Sequence, residues 1–533
     1  PNVKTLENKQ IRGHLYIGSG PREDLDMRRS VNRLLAVMLA AAALCSFTAQ
    51  RAGAQAWWFG KNKVQYETFN WKVLKTPHFD IHFQDGYRDL AGRTAVILEY
   101  GYGKLSGDFD HHIEWRIPVI VYASHSYFQQ TNTTWGLLPE GVQAFAEPTH
   151  KRIVLHFSGT NEDFAHTAIH ELVHMFEFDI IYGTLLRSAF AQGALFNIPL
   201  WFAEGISEYY SVGGMDATAR MFMRDATVFD YLPYDLNYAG GYMNYKAGQS
   251  AINYINETYG SGKVVEIMDQ LRYQRSLEAA LMSTLGIDSS ELTKAWKKDL
   301  RRKYWPEYAG KKEPEEFGRR LTDHVKDHNY QNTKPEFSPD GGYIIFYSDK
   351  GGLDGIYMMN AITGRIEKKM LTGSLSEKFE SIRSMKSNLT WAPDGKSIAF
   401  VAKSDGRDRL FILSVPQGEI LDEIEMPVDF FFSPAISPDG KLVAFVGALK
   451  GKTDLYVHDL QTGSTAQVTD DMNDETDPAW FPYGRKIAYS RHPLVAVQPI
   501  FAPDSTGVER LSGVNLQLSD NVCLLYTSDA ADE

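Results

Sequence analysis

A short motif that recurs through the C-terminal part of the chain limits the folds open to it. The motif reads PEFSPDG at 335–341, LTWAPDG at 389–395 and PAISPDG at 434–440, and it returns more loosely as PAWFPYG at 478–484. In each copy a strand is followed by a tight turn, because proline presets φ and glycine accepts positive φ. Further short β runs and polar loops come next. Intervals of 54, 45 and 44 residues suit one four-stranded propeller blade each.

These repeats resemble the TolB-type, WD40-like β-propeller blades found in many secreted bacterial proteins. The resemblance implies that residues 332–522 form an all-β propeller. About four blades are present, and such propellers commonly close with about six or more, so we expect an incomplete propeller. The repeats contain no catalytic constellation. We therefore expect the propeller to bind a peptide or protein, including an envelope protein partner.

The segment His170-Glu171-Leu172-Val173-His174 predicts a metal site in the N-terminal part of the chain. On a helix, positions i and i+4 lie on one face. Both imidazoles can therefore bind one ion, while Glu171 can hold a water molecule beside it. Apolar residues on both sides of the motif predict a largely buried helix.

Two further features of this helix follow from the sequence. Asn161 and Glu162 can cap its start. An alternative interpretation of the motif makes the histidines solvent-facing partners of nearby acids, such as Glu177 and Asp179.

A pair of glutamates further along the chain offers the third ligand that catalytic zinc normally requires. The segment at 199–210 reads PLWFAEGISEYY, and its Trp-Phe pair predicts a second buried helix. Glu204 and Glu208 are again at i and i+4. We predict that Glu204 binds the metal and that Glu208 accepts a hydrogen bond from a metal-bound imidazole, because such imidazoles usually donate their other N–H to a carboxylate.

His170, Glu171, His174 and Glu204, with the WFAEGISEYY segment, resemble the gluzincin metallopeptidases and, more closely, bacterial peptidase MA-like domains. The resemblance extends from about residue 69 to residue 304. It implies an α+β zincin-like metallopeptidase domain at 57–312, a Zn²⁺ cofactor, and a peptide or protein substrate. The chain departs from the aminopeptidase pattern between His174 and Glu204, and it shows no segment for gripping a free N-terminus. Both endopeptidase and exopeptidase action therefore stay open.

The ligand set predicts the mechanism. Glu171 would act as the general base for a zinc-activated water. Aminopeptidase-type gluzincins also use a tyrosine, in a segment that opens a helix, to stabilise the oxyanion. The segment YKAGQS at 245–250 is similar, so the resemblance implies this role for Tyr245. The rival residues are Tyr242, Tyr209 and Tyr210.

A small mixed sheet is expected to border the substrate cleft. Its strands are predicted at 79–83, 117–122, 141–146 and 153–157. We expect 153–157 to be the edge strand that pairs with an extended peptide. His156 and His166 lack the spacing of ligands, and we do not expect either to bind metal.

The N-terminus predicts export. Residues 27–33 are basic, 34–47 are apolar, and small residues near position 54 offer a cleavage site. We expect a signal peptide at 27–56 and an upstream extension at 1–26. The apolar run is shorter than the ~20 residues of a membrane span, so we expect no stable span after cleavage. The mature protein would be periplasmic, outer-membrane-associated or extracellular.

Composition narrows the remaining choices. A net charge of -12 argues against a nucleic-acid partner. Residues 313–331 are expected to be a linker, and 523–533 resemble a translated sequencing adapter. The chain has two cysteines. Cys45 lies in the expected signal peptide, and Cys523 lies in the segment that resembles an adapter. The expected mature chain therefore offers only histidine and carboxylate to a metal.

Two functions from different classes are compatible with the sequence. The first is an exported zinc metallopeptidase whose propeller recruits or restricts substrates. The second is a non-catalytic envelope scaffold with a structural metal site and propeller-mediated interactions. An intact Glu171 favours the enzyme, because a scaffold needs no general base.

Overall fold

The computed structural model describes residues 64–131, 134, 138–183, 198–373, 378–483, 486–492, 495–503, 509–518 and 525–527. The expected upstream extension and signal peptide lie outside these residues, as does most of 523–533. Residues Val64–Thr131 and those from Leu138 onward belong to one compact unit. Within the described ranges, no helix is long and apolar enough to cross a membrane.

A mixed β-sheet forms one layer of the N-terminal domain. Its strands are β1 (Trp71–Lys75), β2 (Phe79–Gln84), β3 (Ile117–Tyr122), β4 (Ala144–Glu147) and β5 (Arg152–His156). The spatial order is β1-β2-β3-β5-β4. Strands β2, β3 and β5 are parallel, whereas β1 and β4 run antiparallel to their neighbours. All four strands predicted from the sequence are therefore present in one sheet.

The position of β5 corrects the expectation about the sheet edge. β5 pairs with β3 on one side and with β4 on the other, so it is an interior strand. Ile153, Val154 and Leu155 are completely buried, as the continuous apolar run of an interior strand requires. β4 is half-buried and ends the described order of the sheet. Among the strands that the structure describes, the free edge is therefore β4 and not residues 153–157.

Helices form the second layer and the rest of the N-terminal domain. They are α1 (Arg88–Phe109), α2 (His125–Phe128), α3 (Asn161–Tyr182), α4 (Leu200–Val212), α5 (Ala217–Val228), α6 (Tyr242–Tyr259), α7 (Lys263–Gln274), α8 (Leu277–Leu285), α9 (Ser289–Tyr308) and α10 (His324–Asp327). The long helices α1 and α3 approach closely at Gly101, where an added Cβ would lie 3.2 Å from Ile169 Cγ1. This contact places α3, which carries the His-Glu-x-x-His motif, in the centre of the domain.

Helices α4 and α6 cross at a pair of glycines. A Cβ on Gly205 would lie 2.5 Å from the carbonyl carbon of Gly248, and one on Gly248 would lie 2.2 Å from the carbonyl oxygen of Trp201. Neither glycine can carry a side chain without moving the backbones apart. The crossing brings Glu204 of α4 towards Tyr245 of α6.

The C-terminal part of the chain consists of four antiparallel sheets, in agreement with the predicted incomplete propeller. The first contains β6 (Asn332–Phe337), β7 (Tyr343–Ser348), β8 (Gly355–Asn360) and β9 (Ile366–Thr372). The second contains β10 (Ser381–Ile382), β11 (Thr390–Trp391), β12 (Ser397–Ser404), β13 (Arg407–Ser414) and β14 (Ile420–Glu425). The third contains β15 (Phe430–Ile436), β16 (Leu442–Leu449), β17 (Lys452–Asp459) and β18 (Thr465–Gln467). The fourth contains β19 (Asp474–Trp480), β20 (Lys486–His492) and β23 (Leu525–Thr527).

Two strands within the range expected for the propeller pair elsewhere. β21 (Val495–Pro503) and β22 (Glu509–Leu518) form an antiparallel hairpin. β22 also lies beside β1, with Arg510 opposite Lys75 in parallel register. The domain boundaries inferred from the sequence stay a prediction.

The repeated motif has a local structural explanation. In the first and third copies, Ser338 and Ser437 donate their hydroxyls to the aspartate two residues later, at 2.6 Å. The glycine that ends each turn has φ near +70° in the first three copies, which favours glycine. The motif also links neighbouring blades, because Trp391 Nε1 donates to the carbonyl of Glu336 and Trp480 Nε1 donates to that of Ala435.

The N-terminal domain contacts the propeller on the face opposite these turns. Phe430 and Phe432, at the start of β15, pack into the same core as Phe157. The close fit extends to Gly159, because a Cβ on this residue would lie 3.0 Å from Phe432 Cε1. The Pro-Asp-Gly turn of this blade is at the other end of β15. The two domains therefore share a continuous apolar core at one face of the propeller.

Candidate metal centre

Helix α3 presents the His-Glu-x-x-His motif from a buried position. Its N-cap is Thr160, whose side chain accepts a hydrogen bond from the N–H of Asp163. The predicted cap residues Asn161 and Glu162 lie in the first turn instead. His170 and Glu171 are each only 7% exposed. The side chains of His170 and His174 are 9% and 12% exposed, so the alternative is wrong in placing the histidines in solvent, although His174 does contact Glu177.

The three predicted metal ligands converge on one point. The Oε2 atom of Glu204 lies 3.2 Å from Nε2 of His170 and 3.4 Å from Nε2 of His174. Ligand atoms placed ~2.0–2.1 Å from a tetrahedral ion are ~3.3 Å apart. The two distances from Glu204 therefore match this separation, and all three ligand atoms lie within 4.8 Å of one another. Their two-imidazole, one-carboxylate chemistry is that of catalytic zinc sites.

The electrostatics at this point favour positive charge. Burial alone would lower the pKa of His170, but hydrogen bonds to Glu204 and Glu208 raise it to about 9. The pKa of His174 is likewise raised despite burial, because Glu177 and Glu204 lie beside it. Burial would raise the pKa of Glu204, yet the two imidazoles hold it well below its usual range. A metal cation bound between the two imidazoles would neutralise the charge of the Glu204 carboxylate in the same way.

Each histidine has a carboxylate behind it. Nδ1 of His170 lies 3.4 Å from Oε1 of Glu208, the contact expected for the predicted orienting residue. Nδ1 of His174 lies 2.8 Å from Oε2 of Glu177 and 3.1 Å from the hydroxyl of Ser207. The sequence placed Glu177 only in the solvent-facing alternative. Its i+3 spacing from His174 could have indicated the contact, since i and i+3 share a helix face.

A buried lysine that the sequence did not indicate contacts Glu208, the carboxylate beside His170. Lys246 is 4% exposed, and its Nζ atom lies 2.6 Å from Oε2 of Glu208. Nζ also lies 3.4 Å from the side-chain oxygen of Gln249 and 3.5 Å from Oδ2 of Asp216. Burial would raise the pKa of Glu208, but the hydrogen bond from His170 and the charges of His170 and Lys246 lower it to about 2. Glu208 is therefore held as a carboxylate against His170.

Glu171 lies beside the free edge of the sheet. The backbone N–H of Ala146 in β4 donates to its carboxylate. Burial raises the pKa of Glu171, and the two nearby histidines lower it less. A buried carboxylate with a raised pKa next to a metal position suits a general base.

Among the four candidate tyrosines, Tyr245 is the one that the described structure brings to the cluster. Its ring stacks on His170 at 6.1 Å between centroids. Burial, together with a hydrogen bond to Glu204 and its charge, raises the pKa of Tyr245. Tyr242 is 51% exposed beside Lys246. Tyr210 packs on Phe109 at 4.7 Å between ring centroids, and Tyr209 packs edge-on against Tyr210.

The two histidines not expected to bind metal occupy different environments. His156 is buried in the sheet, and its Nδ1 is 2.9 Å from the carbonyl oxygen of Phe157. Nε2 of His166 lies 3.7 Å from Oε1 of Glu208, so His166, His170 and Glu208 form a second group of closely spaced ligand atoms. In that group His170 and Lys246 already contact the Glu208 carboxylate. That His166 binds no metal stays a prediction.

Comparison with known families identifies both parts of the chain. The model of the Peptidase MA superfamily matches residues 117–302, which contain the entire candidate centre. The model of the TolB beta propeller domain matches residues 380–494. The chain thus contains a Peptidase MA superfamily domain followed by a TolB beta propeller domain. We call the first the peptidase domain from here on.

Solved structures similar to part of this chain include two TolB proteins, each of low sequence identity. A putative TolB from Agrobacterium tumefaciens is 18% identical, with 35% of this chain and 65% of that one covered and a TM-score of 0.27. TolB from Acinetobacter baumannii is 24% identical, with 35% and 43% covered and a TM-score of 0.26. The chain thus spans less than two thirds of either structure. No curated protein matches the chain significantly.

Proposed function

We propose that this chain is an exported zinc-dependent peptidase of the gluzincin type. The observation that carries the proposal is the meeting of Glu204 Oε2 with the Nε2 atoms of His170 and His174, beside a buried Glu171. When bound there, zinc would lower the pKa of an attacking water and polarise the scissile carbonyl. His170, His174 and Glu204 would hold it. Within the Peptidase MA superfamily domain, these three residues would bind the metal, and Glu171 would supply the base that hydrolysis requires.

The surrounding residues have separate roles in this proposal. Glu171 would accept a proton from the attacking water and deliver it to the leaving amine. The Tyr245 hydroxyl would donate a hydrogen bond to the developing oxyanion. Glu208 and Glu177 would fix the orientation of the two imidazoles through their Nδ1 atoms. The free edge of β4 would hold an extended substrate by backbone hydrogen bonds.

Cleavage by the purified chain tests the catalytic part of this proposal. A denatured protein library is incubated with zinc-loaded wild type and with Glu171→Gln, and the new termini are identified by mass spectrometry. Glu162→Gln is the matched control, because Glu162 is an exposed acid on the same helix. We expect all three proteins to bind about one zinc ion, and only wild type and Glu162→Gln to cut.

Two results would contradict the peptidase. If zinc binds but wild type produces no termini beyond those of Glu171→Gln, the non-catalytic scaffold is the better account. If Glu204→Gln binds zinc as tightly as wild type, the ligand set is wrong. Chelation with 1,10-phenanthroline should abolish cleavage and lower the melting temperature of wild type, since a ligand that binds the native state stabilises it.

The cellular location is part of the proposal. The basic and apolar residues at 27–47 and the TolB beta propeller domain support export to the periplasm, the outer membrane or the medium. There the propeller would contact an envelope protein or the substrate itself. N-terminal sequencing of the protein recovered from fractionated cells tests this. A mature N-terminus near residue 57 in the envelope or medium is expected, whereas recovery from the cytoplasm with residues 27–56 attached would contradict it.

A further inference from the structure

One turn of the propeller lies beside the strand that would hold the substrate. Residues 383–387 lie in the segment that connects β10 to β11 in the second blade, and we call them the blade-2 turn. The backbone N–H groups of Met385 and Lys386 donate to the carboxylate of Glu140, at 3.1 and 3.0 Å. Glu140 precedes β4 by a few residues. The peptidase domain therefore holds the blade-2 turn directly next to the start of its free strand.

The blade-2 turn is fixed from both domains. Arg383, which begins it, is 4% exposed and donates to Asp408 at 2.7 Å and to the hydroxyl of Ser126 at 2.6 Å. Lys386 contributes an ion pair with Asp163 at 3.2 Å. These contacts span blade 2, α2 and α3. The turn is therefore held in place by both domains and is not a loose loop beside β4.

Met385 is the residue that this arrangement exposes. Its side chain is 58% exposed although the backbone on each side of it is held in place. Its sulfur would lie 3.4 Å from a Cβ on Gly141. That is an ordinary van der Waals distance, so Met385 lies next to Gly141, three residues before β4. An exposed apolar side chain on a rigid turn offers a contact for an apolar side chain of a bound peptide.

The number of residues between Gly141 and Ala146 limits the distance from Met385 to the reacting centre. The N–H of Ala146 points away from β5 and towards Glu171, so Ala144, two residues earlier, also directs its backbone groups to the free edge. A peptide that pairs with this edge passes Glu171 and then runs towards Gly141. Five residues at ~3.4 Å each separate Gly141 from Ala146, or up to ~17 Å.

We propose that the blade-2 turn is the end wall of the substrate groove, and that Met385 contacts an apolar substrate side chain about five residues from the scissile bond. This inference rests on the proposed peptidase function. It makes the propeller a specificity element of the peptidase. The substrate it fits is an extended, unfolded segment, because a folded surface could not follow the β4 edge as far as the turn.

Positional cross-linking measures the distance. The probes are unstructured peptides that carry a zinc-binding hydroxamate at one end and a single thiopyridyl-activated cysteine, moved one residue at a time. One series has the hydroxamate at the N-terminus and one at the C-terminus, so both chain directions are tested. The protein is zinc-loaded Met385→Cys with Cys45 and Cys523 absent or replaced by serine. The control is Tyr483→Cys, because Tyr483 is 93% exposed on the opposite face of the propeller.

We expect one series to cross-link Met385→Cys at the position about five residues from the hydroxamate, at least about tenfold faster than the control, because the groove holds the two sulfurs together. If the hydroxamates bind with no preferred cross-linking position, the blade-2 turn is not the groove wall, while the peptidase stands. If no hydroxamate binds zinc-loaded protein, both this inference and the proposed function are wrong.

A charge substitution gives an independent readout. Among cleaved members of the denatured library, Met385→Glu should change the preference at the same substrate position from apolar to basic residues. An identical preference in wild type and Met385→Glu would overturn the inference.

Discussion

Asn161 and Asp474 join the two domains at the start of the helix that carries the metal centre. The backbone N–H and the side-chain amide of Asn161 both donate to the Asp474 carboxylate, each at 2.7 Å. Because Asn161 is the first residue of α3, the propeller places a carboxylate at the positive end of this helix. Arg93 of α1 donates to the side chain of Asn161 and to the carbonyl of Gly451. The position of α3 is therefore coupled to the propeller.

Asp474 should make stability depend on pH. Burial raises its pKa to about 6, although hydrogen bonds from Asn161 and Thr453 and the charge of Arg93 oppose this. A carboxyl whose folded-state pKa is raised contributes stability below its unfolded pKa near 4 and loses it as pH rises through about 6. Relative to Asp474→Asn, wild type should lose up to about 3 kcal/mol between pH 4 and pH 7. Thermal melts across this range measure the difference. The exposed Asp477→Asn should show no such trend, and a parallel trend in both variants would contradict the assignment.

The glycine crossing of α4 and α6 should be needed for the metal centre. Gly248→Ala would place a Cβ 2.2 Å from the carbonyl oxygen of Trp201, and overpacking of this kind typically costs about 1–3 kcal/mol. It would also move Tyr245 away from Glu204, so we expect weaker zinc binding by competition with a fluorescent chelator. Gly103→Ala is the control, since it is an exposed helical glycine with no atom within 4 Å of an added Cβ. It should stabilise by up to about 1 kcal/mol. If the two substitutions changed stability and zinc binding equally, the close crossing of α4 and α6 would not be required for the metal centre.

Lys246 should act as a positioning residue through Glu208. Lys246→Met leaves the Glu208 carboxylate buried without its nearest cation, so His170 loses a fixed partner. Loss of such an outer contact typically lowers metal affinity about 10–100-fold. We expect that decrease in a chelator competition, with zinc still bound at saturation. Lys246→Arg should restore part of it. Lys263→Met, which removes an exposed ion pair with Glu266, should leave zinc affinity unchanged; a decrease of the same size there would indicate a non-specific charge effect.

Local patterns predict the metal ligands better than they predict their surroundings. His170, His174, Glu204 and Glu208 follow helical spacing, so the sequence alone places each pair on one face. The order of strands does not follow from any local pattern, so the sequence favours residues 153–157 as the edge although β4 occupies that position. Lys246 appeared only as part of a tyrosine segment, because its partner Glu208 is 38 residues away in sequence. The propeller turns were predictable from their Pro-Asp-Gly chemistry, whereas the contact between Asn161 and Asp474 spans 313 residues.

The buried pair of Arg383 and Asp408 should hold the blade-2 turn in place. Arg383 Nη2 lies 2.7 Å from Asp408 Oδ1, and each side chain is 5% exposed. Arg383→Met leaves an uncompensated buried carboxylate, which typically costs about 3–5 kcal/mol. The double substitution Arg383→Met with Asp408→Asn should cost less than the sum of the single ones, because neither partner is then left as an unpaired charge.

Thermal unfolding of the four proteins in this cycle gives the coupling energy. Arg365→Met is the control, because Arg365 is 78% exposed and lies 4.0 Å from Glu367, and exposed pairs contribute about 0–1 kcal/mol. Coupling below about 0.5 kcal/mol between Arg383 and Asp408 would mean that the ion pair does not fix the turn. The contacts of Glu140 with the backbone of Met385 and Lys386 would then be its main attachment to the peptidase domain.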